Sequence, residues 1–435
     1  MTEGKPVAVV GAGLAGAMMA CFLARDGHAV HLLERRPDPR RRAVEGGRSI
    51  NLALSHRGLR ALAELGLDEE ILAHTVAMRG RMMHAPDGAL TLQPYGTEKD
   101  QVIHSVSRGG LNVRLIEAAA ASGVQMRFEA RVEDVDPERG RVKLESGEEA
   151  EYAFIVGADG AFSAVRARLQ RSAGFDYSQS YLTHGYKELT LPATAAGDFA
   201  LDPHALHIWP RGGFMMIALP NEDCSFTCTL FWPFEGEISF GSVREDADLL
   251  GVFRTHYADV LPLFPNLVEQ YHENPVGSLV TVRCGPWHAG DRVVLIGDAA
   301  HAVVPFYGQG MNASFEDCRL LAEALRSAPS PGAGFRAFYQ NRKADADALS
   351  DLAIENYRVM RDRVASRGFL LLRSAGRAVH RLVPTLFVPM YTLVTFTSTP
   401  YAAAVARWER QVRGVKAGAF VLGLVVLVGL ALLLG

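Results

Sequence analysis

Three glycines, Gly11, Gly13 and Gly16, make a G-x-G-x-x-G pattern inside "KPVAVVGAGLAGAMMACFLARDGHAVHLLER". The apolar run before it reads as a strand and the run after it as a helix, so the glycines fall on the turn between them. Glycine there lets backbone approach a pyrophosphate, and the opening turn of the helix presents unpaired N–H groups to the phosphate charge. Glu34 ends the next apolar run, eighteen residues after Gly16. A carboxylate at that place accepts hydrogen bonds from ribose hydroxyls. Arg35 and Arg36 follow and would suit a 2′-phosphate, although the acid at the strand end argues against one. Two more acids follow short apolar runs, Asp159 in "GADGAFSAVR" and Asp298 in "GDAAH", about 140 residues apart. A single Asp-Gly after a strand is ordinarily only a turn.

These residues need a frame of strands and helices to hold them. The expected fold is α/β: a Rossmann-type dinucleotide-binding domain with an inserted antiparallel sheet, C-terminal helices and a hydrophobic tail helix. The expected divisions are 1–175 and 276–330 for the two parts of the dinucleotide-binding domain, 176–275 for the insertion, 331–416 for the helical region and 417–435 for the tail. Between Tyr181 and Ile238 the apolar period changes to two, as in "HIWPRGGFMMIALP" and "SFTCTLFWPF". That period is the signature of a half-buried sheet. Met215, Ile217 and Leu219 alternate onto one face, Phe231 lies on the expected neighbouring strand, and Leu206 can join them. An apolar stripe of this kind is ordinarily core.

The 435 residues are 49% hydrophobic and 21% charged, the composition of a globular protein with a sizeable core. A net charge of −3 gives no footprint for nucleic acid. The five cysteines (Cys21, Cys224, Cys228, Cys284, Cys318) are odd in number and form no C-x-x-C pair. Free thiols in a reducing compartment are therefore expected, and neither a zinc site nor a disulfide framework. A strand-like run begins within a few residues of the N-terminus, which leaves no room for a signal peptide. Ala417 to Gly435 is nineteen residues without a charge, preceded by Arg407, Arg410, Arg413 and Lys416. As a helix it would span roughly 28 Å, the thickness of a bilayer core. A tail anchor with the catalytic part on the cytoplasmic side is the expectation. A buried core helix is the alternative.

The three motifs, in this order and spacing, resemble the single-component FAD monooxygenases, the flavin-dependent aromatic hydroxylases. The likeness implies bound FAD, with Asp298 on its ribityl chain and Asp159 in a motif linked to both FAD and NAD(P)H. The small residues around Asp298 let backbone come close to the flavin. The helix starting near Gly310, with Met311 and Asn312, would direct its positive end at the ring system, an interaction of roughly 0.3–2 kcal/mol. Pro305, Phe306 and Tyr307 would line the space in front of it. His301 reads as a structural or flavin-contacting residue, since nothing in the sequence supplies a partner to orient it as a base.

Within that family, "GRSINLALSHRGLRAL", "GRMMH", "QPYG", "SVSRGGLN", "SFTCTLF", "VVPFYGQGMNASFEDC" and "AIENYRVMRD" resemble the kynurenine 3-monooxygenases, from about residue 5 to residue 395. The resemblance implies 3-hydroxylation of L-kynurenine with NADPH and O₂, through a flavin C4a-hydroperoxide. It implies that Arg108 contacts the flavin and that Arg81, Tyr95, Asn356 and Tyr391 hold the substrate's carboxylate. It also places the inserted sheet over the aromatic ring, where an apolar wall shields the reactive oxygen from water.

These assignments also make sense from the residues' own chemistry. Arg81 suits a planar carboxylate through paired hydrogen bonds. Leu349, Ala353, Asn356 and Met360 share one helical face, which makes Asn356 a polar group in an apolar stripe, needing a ligand or a neighbouring helix as partner. Tyr391 lies in apolar "TLFVPMYTLVTF" and needs a partner for its hydroxyl. Three other readings stay open: a different FAD monooxygenase, a membrane-associated flavin reductase for a hydrophobic substrate, and a non-catalytic flavoprotein. The sequence is silent on NADPH against NADH and leaves a homodimer open.

Overall fold

The computed structural model describes residues 4–41, 51–96, 101–359 and 387–415. Met360, Lys416 and the apolar run 417–435 lie outside them.

Short runs of β-branched and aliphatic residues, mostly buried on both faces, form the four central strands of a six-stranded sheet. Its order is His288–Ala289, Val293–Leu295, Ile155–Gly157, Val7–Val10, Val30–Leu33, Gln125–Arg127. The last five strands run parallel, and His288–Ala289 pairs antiparallel at the edge. Parallel strands must be covered on both faces, which is why VAVV and VVL carry no alternation. Helix Leu14–Arg25 covers one side, with Gly16 to Leu23 buried. Gly11, Glu34, Ala158 and Ile296 each follow the carboxyl end of a strand in this sheet, the end where ligands of such folds bind.

The second large sheet has seven strands in the order Gly277–Gly285, Asp176–Leu191, Phe226–Pro233, Met215–Pro220, Ala205–Pro210, Gly80–His84, Leu90–Pro94. It draws strands from both sides of 176–275. Gly80–His84 joins by a parallel pairing that sets Arg81 beside Leu206. Met215 pairs with Phe231 across the neighbouring antiparallel strand. Alternation then sorts the side chains. Met216, Trp209 and Trp232 pack away from the site against helices Asp246–His256 and Leu267–Glu273. Met215 and Phe231 face the other way, into a cluster with Phe306, Leu349 and Ala353.

A chain of buried charge ties the C-terminal segment to the six-stranded sheet. Arg342, 1% exposed, lies 2.7 Å from Asp317 and 2.7 Å from Glu316, and Arg57 reaches Glu316 at 2.6 Å. Asp317 also accepts the backbone N–H of Gly297 at 3.1 Å and sits 2.6 Å from His301 Nε2. Asp345 accepts the Ala402 N–H, Arg57 donates to the Thr399 carbonyl, and the ring of Tyr401 lies 4.1 Å from the Arg57 guanidinium. The Tyr401 hydroxyl donates to Gln309 at 3.1 Å, inside the Gly-Gln-Gly turn.

All five cysteines are free. Burial pushes the Cys21 and Cys284 thiols up to about 12, and raises Cys228 and Cys318 as well. Only Cys224 is partly exposed. Iodoacetamide at pH 8 is therefore expected to alkylate the native protein at Cys224 alone, with the other four modified only after denaturation, as peptide mapping would read.

Among the described residues no helix is long and apolar enough to cross a membrane. The helix at 401–415 carries Arg407, Arg410 and Arg413.

Candidate active site

A cavity of ≈ 480 Å³ opens where the two sheets meet. One end is the glycine turn. Gly11 has φ +98°, and a Cβ there would lie 2.6 Å from the Ala158 carbonyl. A Cβ on Gly16 would lie 1.8 Å from the Gly11 carbonyl, so helix and strand pack through it. Gly13 is different: nothing stands within 4 Å of an added Cβ, and the residue lines the cavity. The three glycines thus serve backbone conformation, close packing and room for a ligand in turn.

The expected dinucleotide contacts fall around this end. Glu34, Arg35, Arg108, Asp159, Asp298, Gly310 and Met311 all line the cavity. Glu34 is already engaged. Its Oε2 accepts the Ala12 N–H at 2.8 Å and its Oε1 the Arg36 N–H at 2.9 Å, so a ribose would share a carboxylate that also shapes the loop. Asp159 Oδ2 accepts from the Ala164 N–H at 2.7 Å, while Oδ1 is buried with no partner. Burial raises the Asp159 carboxyl above its ordinary value, opposed by the Ser163 side chain and by backbone N–H groups. Asp298 has its surface on the cavity yet lies deep in the protein. That depth raises its carboxyl, and Arg108 and His301 pull it back.

Three expectations read differently in the structure. Asn312 is fully buried and does not line the cavity. Its Oδ1 accepts the Ser55 N–H at 2.9 Å, and its Nδ2 donates to the Ala53 and Gly308 carbonyls, so it pins the Gly-Gln-Gly turn to strand Asn51–Leu54. His301 does have an orienting partner, Asp317, sixteen residues on and across the start of helix Gly310–Ser327. It is 4% exposed, with its ring 5.0 Å from that of Trp287 and tilted to it, which gives it a structural place behind the turn. Asn356 donates its amide to the Phe306 carbonyl at 2.6 Å and does not line the cavity. It holds the wall, and Phe306 in turn packs 4.9 Å from Phe231.

The other end carries the substrate-type residues. Arg81, Tyr95, Leu206, Met215, Ile217, Leu219, Phe231, Pro305, Phe306, Tyr307 and Tyr391 line it. Arg81 is 7% exposed, and its Nε is buried without a partner. Its guanidinium lies 4.8 Å from the Tyr391 ring and 5.8 Å from the Tyr95 ring, and these two rings stack at 5.6 Å. Tyr307 stacks on Tyr391 at 5.8 Å. A cation caged by aromatic rings, with no carboxylate partner among the described residues, can pair with an anion brought in from outside.

The room at Gly13, the unpartnered Asp159 oxygen, and the line of Glu34, Arg108 and Asp298 fit a flavin dinucleotide. Residues Arg57, Glu316, Asp317, Arg342 and Tyr401 behind the turn were not singled out by their sequence. The available signal was the acid pair in "SFEDC", placed on an otherwise apolar helix face.

Residues 5–334 match the family model for an FAD binding domain. The chain is 48% identical over 404 residues to kynurenine 3-monooxygenase of Myxococcus xanthus (strain DK1622), covering 92% of this chain and 87% of that protein. It is 47% identical over 434 residues to kynurenine 3-monooxygenase of Salinispora arenicola (strain CNS-205), covering 98% and 95%. Among solved structures it is similar to 2-methyl-3-hydroxypyridine-5-carboxylic acid oxygenase, with TM-score 0.69, 22% identity, and 85% of this chain and 95% of that chain covered. It is also similar to the tetracycline destructase Tet(55), with TM-score 0.66, 18% identity, and 89% and 99% covered. At those identities the solved structures speak for the fold alone.

Proposed function

From the premise that the chain belongs to the kynurenine 3-monooxygenase family, with its FAD binding domain, we propose that it hydroxylates L-kynurenine at the 3-position of the ring. The observation that carries this reading is Arg81, a buried guanidinium with an unpartnered Nε at the end of the cavity away from the glycine turn. FAD, when bound, supplies the redox chemistry, taking electrons from NADPH and activating O₂.

The chain's own residues bind, orient and exclude. Gly13 would admit the pyrophosphate on the turn that Gly11 and Gly16 shape, Glu34 and Arg35 would take the adenosine ribose, and Asp159, Asp298 and Arg108 would hold the ribityl and phosphate groups. Gly310 and Met311, at the start of their helix, would present backbone N–H groups to the flavin ring. Arg81 receives the substrate's carboxylate, with Tyr95 and Tyr391 as its walls and hydroxyl donors. Asn356 fixes Phe306 from behind. Met215, Ile217, Leu219 and Phe231, with Pro305, form the apolar side of the pocket and keep water from the reacting carbon. The substrate's aryl amine activates the ortho carbon, so the protein needs no base there, and positioning is its main contribution. His301 is left with a structural duty, and Met360 would extend the Asn356 face.

In the same reading, residues 1–175 with 276–330 form the FAD domain, 176–275 contribute the substrate sheet, and 417–435 anchor the chain to a membrane. The arginines at 407, 410 and 413 support the anchor, because cations flank such spans on the cytoplasmic side.

The test is NADPH oxidation by FAD-loaded protein with and without L-kynurenine, with products weighed. Strong stimulation and a product heavier by one oxygen are expected. Oxidation that ignores kynurenine and yields no such product would overturn the reading.

A further inference from the structure

A second cleft, of ≈ 650 Å³, lies beside the first. Gly13, Leu14, Glu34, Arg36, Arg108 and Tyr186 line both. The two spaces therefore share a wall that runs from the glycine turn to the seven-stranded sheet, where Tyr186 sits on Asp176–Leu191. Whatever occupies the second cleft lies against the dinucleotide in the first. Gly13, Glu34 and Arg108 on that shared wall already serve the flavin dinucleotide, while Arg36, Asn112, Glu188 and Glu273 in the cleft have no role assigned above.

Its chemistry is specific. Arg36 is largely exposed and spends only Nε on Glu34, at 3.2 Å. Arg108 opens helix Arg108–Ala121, and it opposes the burial-raised carboxyls of both Glu188 in the cleft and Asp298 in the cavity, so its charge is felt on both sides. One turn along that helix, Asn112 lines the cleft with its Oδ1 buried and without a hydrogen-bond partner. Such an acceptor calls for an N–H or O–H from a ligand. Glu188 and Glu273 add further acceptors. Phosphate-binding cations beside acceptors for hydroxyl or carboxamide hydrogens are what a phosphorylated nicotinamide dinucleotide presents a need for. The reaction requires such a donor, and the sequence has no second G-x-G-x-x-G to hold it. The donor's ring must also come within about 3–3.5 Å of the flavin.

We propose that this cleft is the docking site of the nicotinamide dinucleotide, with its phosphates toward Arg36 and toward Arg108, a charge it would share with FAD across the common wall, and a sugar or carboxamide hydrogen on Asn112. This rests on the hydroxylase reading. In the step it serves, the C4–H bond of the dihydronicotinamide breaks, the hydride carries both electrons to the flavin, and the donor leaves as the oxidised pyridinium.

Two variants of the FAD-loaded protein test it with opposite signs. Asn112→Leu leaves the cleft without its acceptor and should weaken NADP⁺ binding, read by calorimetry, roughly tenfold. Glu273→Lys, at the exposed end of helix Leu267–Glu273, removes a negative charge facing the ligand and adds a positive one. It should tighten NADP⁺ several-fold and steepen the salt dependence of binding, a gain that a merely structural role would not produce. The rate of anaerobic flavin reduction at low NADPH should follow both changes, while kynurenine binding stays constant. Wild-type NADP⁺ affinity in both variants would overturn the proposal. The reading beneath it is tested separately: enzyme reduced with dithionite, then mixed with O₂ and L-kynurenine, should give the hydroxylated product in all three proteins. Its absence would sink the hydroxylase reading, while the NADP⁺ titration still decides the cleft.

Discussion

Arg81→Met should raise the KM for L-kynurenine about 100-fold, the cost of leaving a carboxylate unpaired in a buried site. FAD content should be unchanged, because Arg81 is at the opposite end of the cavity from the glycine turn. The size of the effect follows from burial. At 7% exposure water cannot replace the guanidinium, and among the described residues no other cation lines that end of the cavity. Arg81→Lys should recover only part of the loss, since an ammonium keeps the charge but not the planar pair of N–H donors. The decarboxylated amine analogue of the substrate supplies the control. Wild type and Arg81→Met should bind it alike, weakly, because the missing contact is then missing in both. A variant that loses FAD and kynurenine binding in equal measure would refute the assignment.

The second large effect is on stability. Arg342→Leu removes the shared partner of Glu316 and Asp317 and leaves two buried carboxylates short of charge compensation. Breaking a buried pair from one side costs about 3–5 kcal/mol, here measurable as a fall in the urea midpoint. The loss should reach the cofactor too. Asp317 holds the Gly297 N–H, and Gly297 with φ +57° sets the turn that presents Asp298, so FAD should be released more readily from the variant. The pH dependence has a definite sign. Burial alone would raise the Asp317 carboxyl, but His301 and Arg342 hold it below the ordinary Asp value. A depressed carboxyl contributes stability that is fully present above the unfolded value near 4 and is lost as pH falls through the folded one. The wild-type protein should thus lose stability in the acid range more steeply than Arg342→Leu.

The glycine turn, Glu34, Asp159 and Asp298 were legible because each is fixed by its own strand. A run of apolar residues that ends in Gly, Glu or Asp reports the carboxyl end of a buried parallel strand, and four such ends make the site. Met215, Ile217, Leu219 and Phe231 were legible for a similar reason, since period-two alternation in a half-buried sheet decides the face. Gly80–His84 was a different matter. Its parallel pairing with Ala205–Pro210 spans more than a hundred residues and has no local signature. Only the family resemblance put Arg81 in the pocket. Asn356 shows the limit of a face argument: it lies on the expected side of its helix, yet what it meets there is the carbonyl of Phe306. Asn312 fails in the same way, and the Asp317 that orients His301 was equally out of reach. A sequence shows that a polar group is buried, and the partner that satisfies it sits elsewhere in the chain.

The seam at Tyr401 sets a limit on protein engineering. Thr399, Tyr401 and Ala402 satisfy Arg57, Gln309 and Asp345, three groups that belong to the turn and its buried charges. Anyone shortening the chain for expression must keep residues 399–404, and Trp408 and Gln411, which meet Phe387 and Val388, extend that requirement along the helix. Cuts into that stretch should give poorly folded, colourless preparations, because what was trimmed as a tail was also a plug.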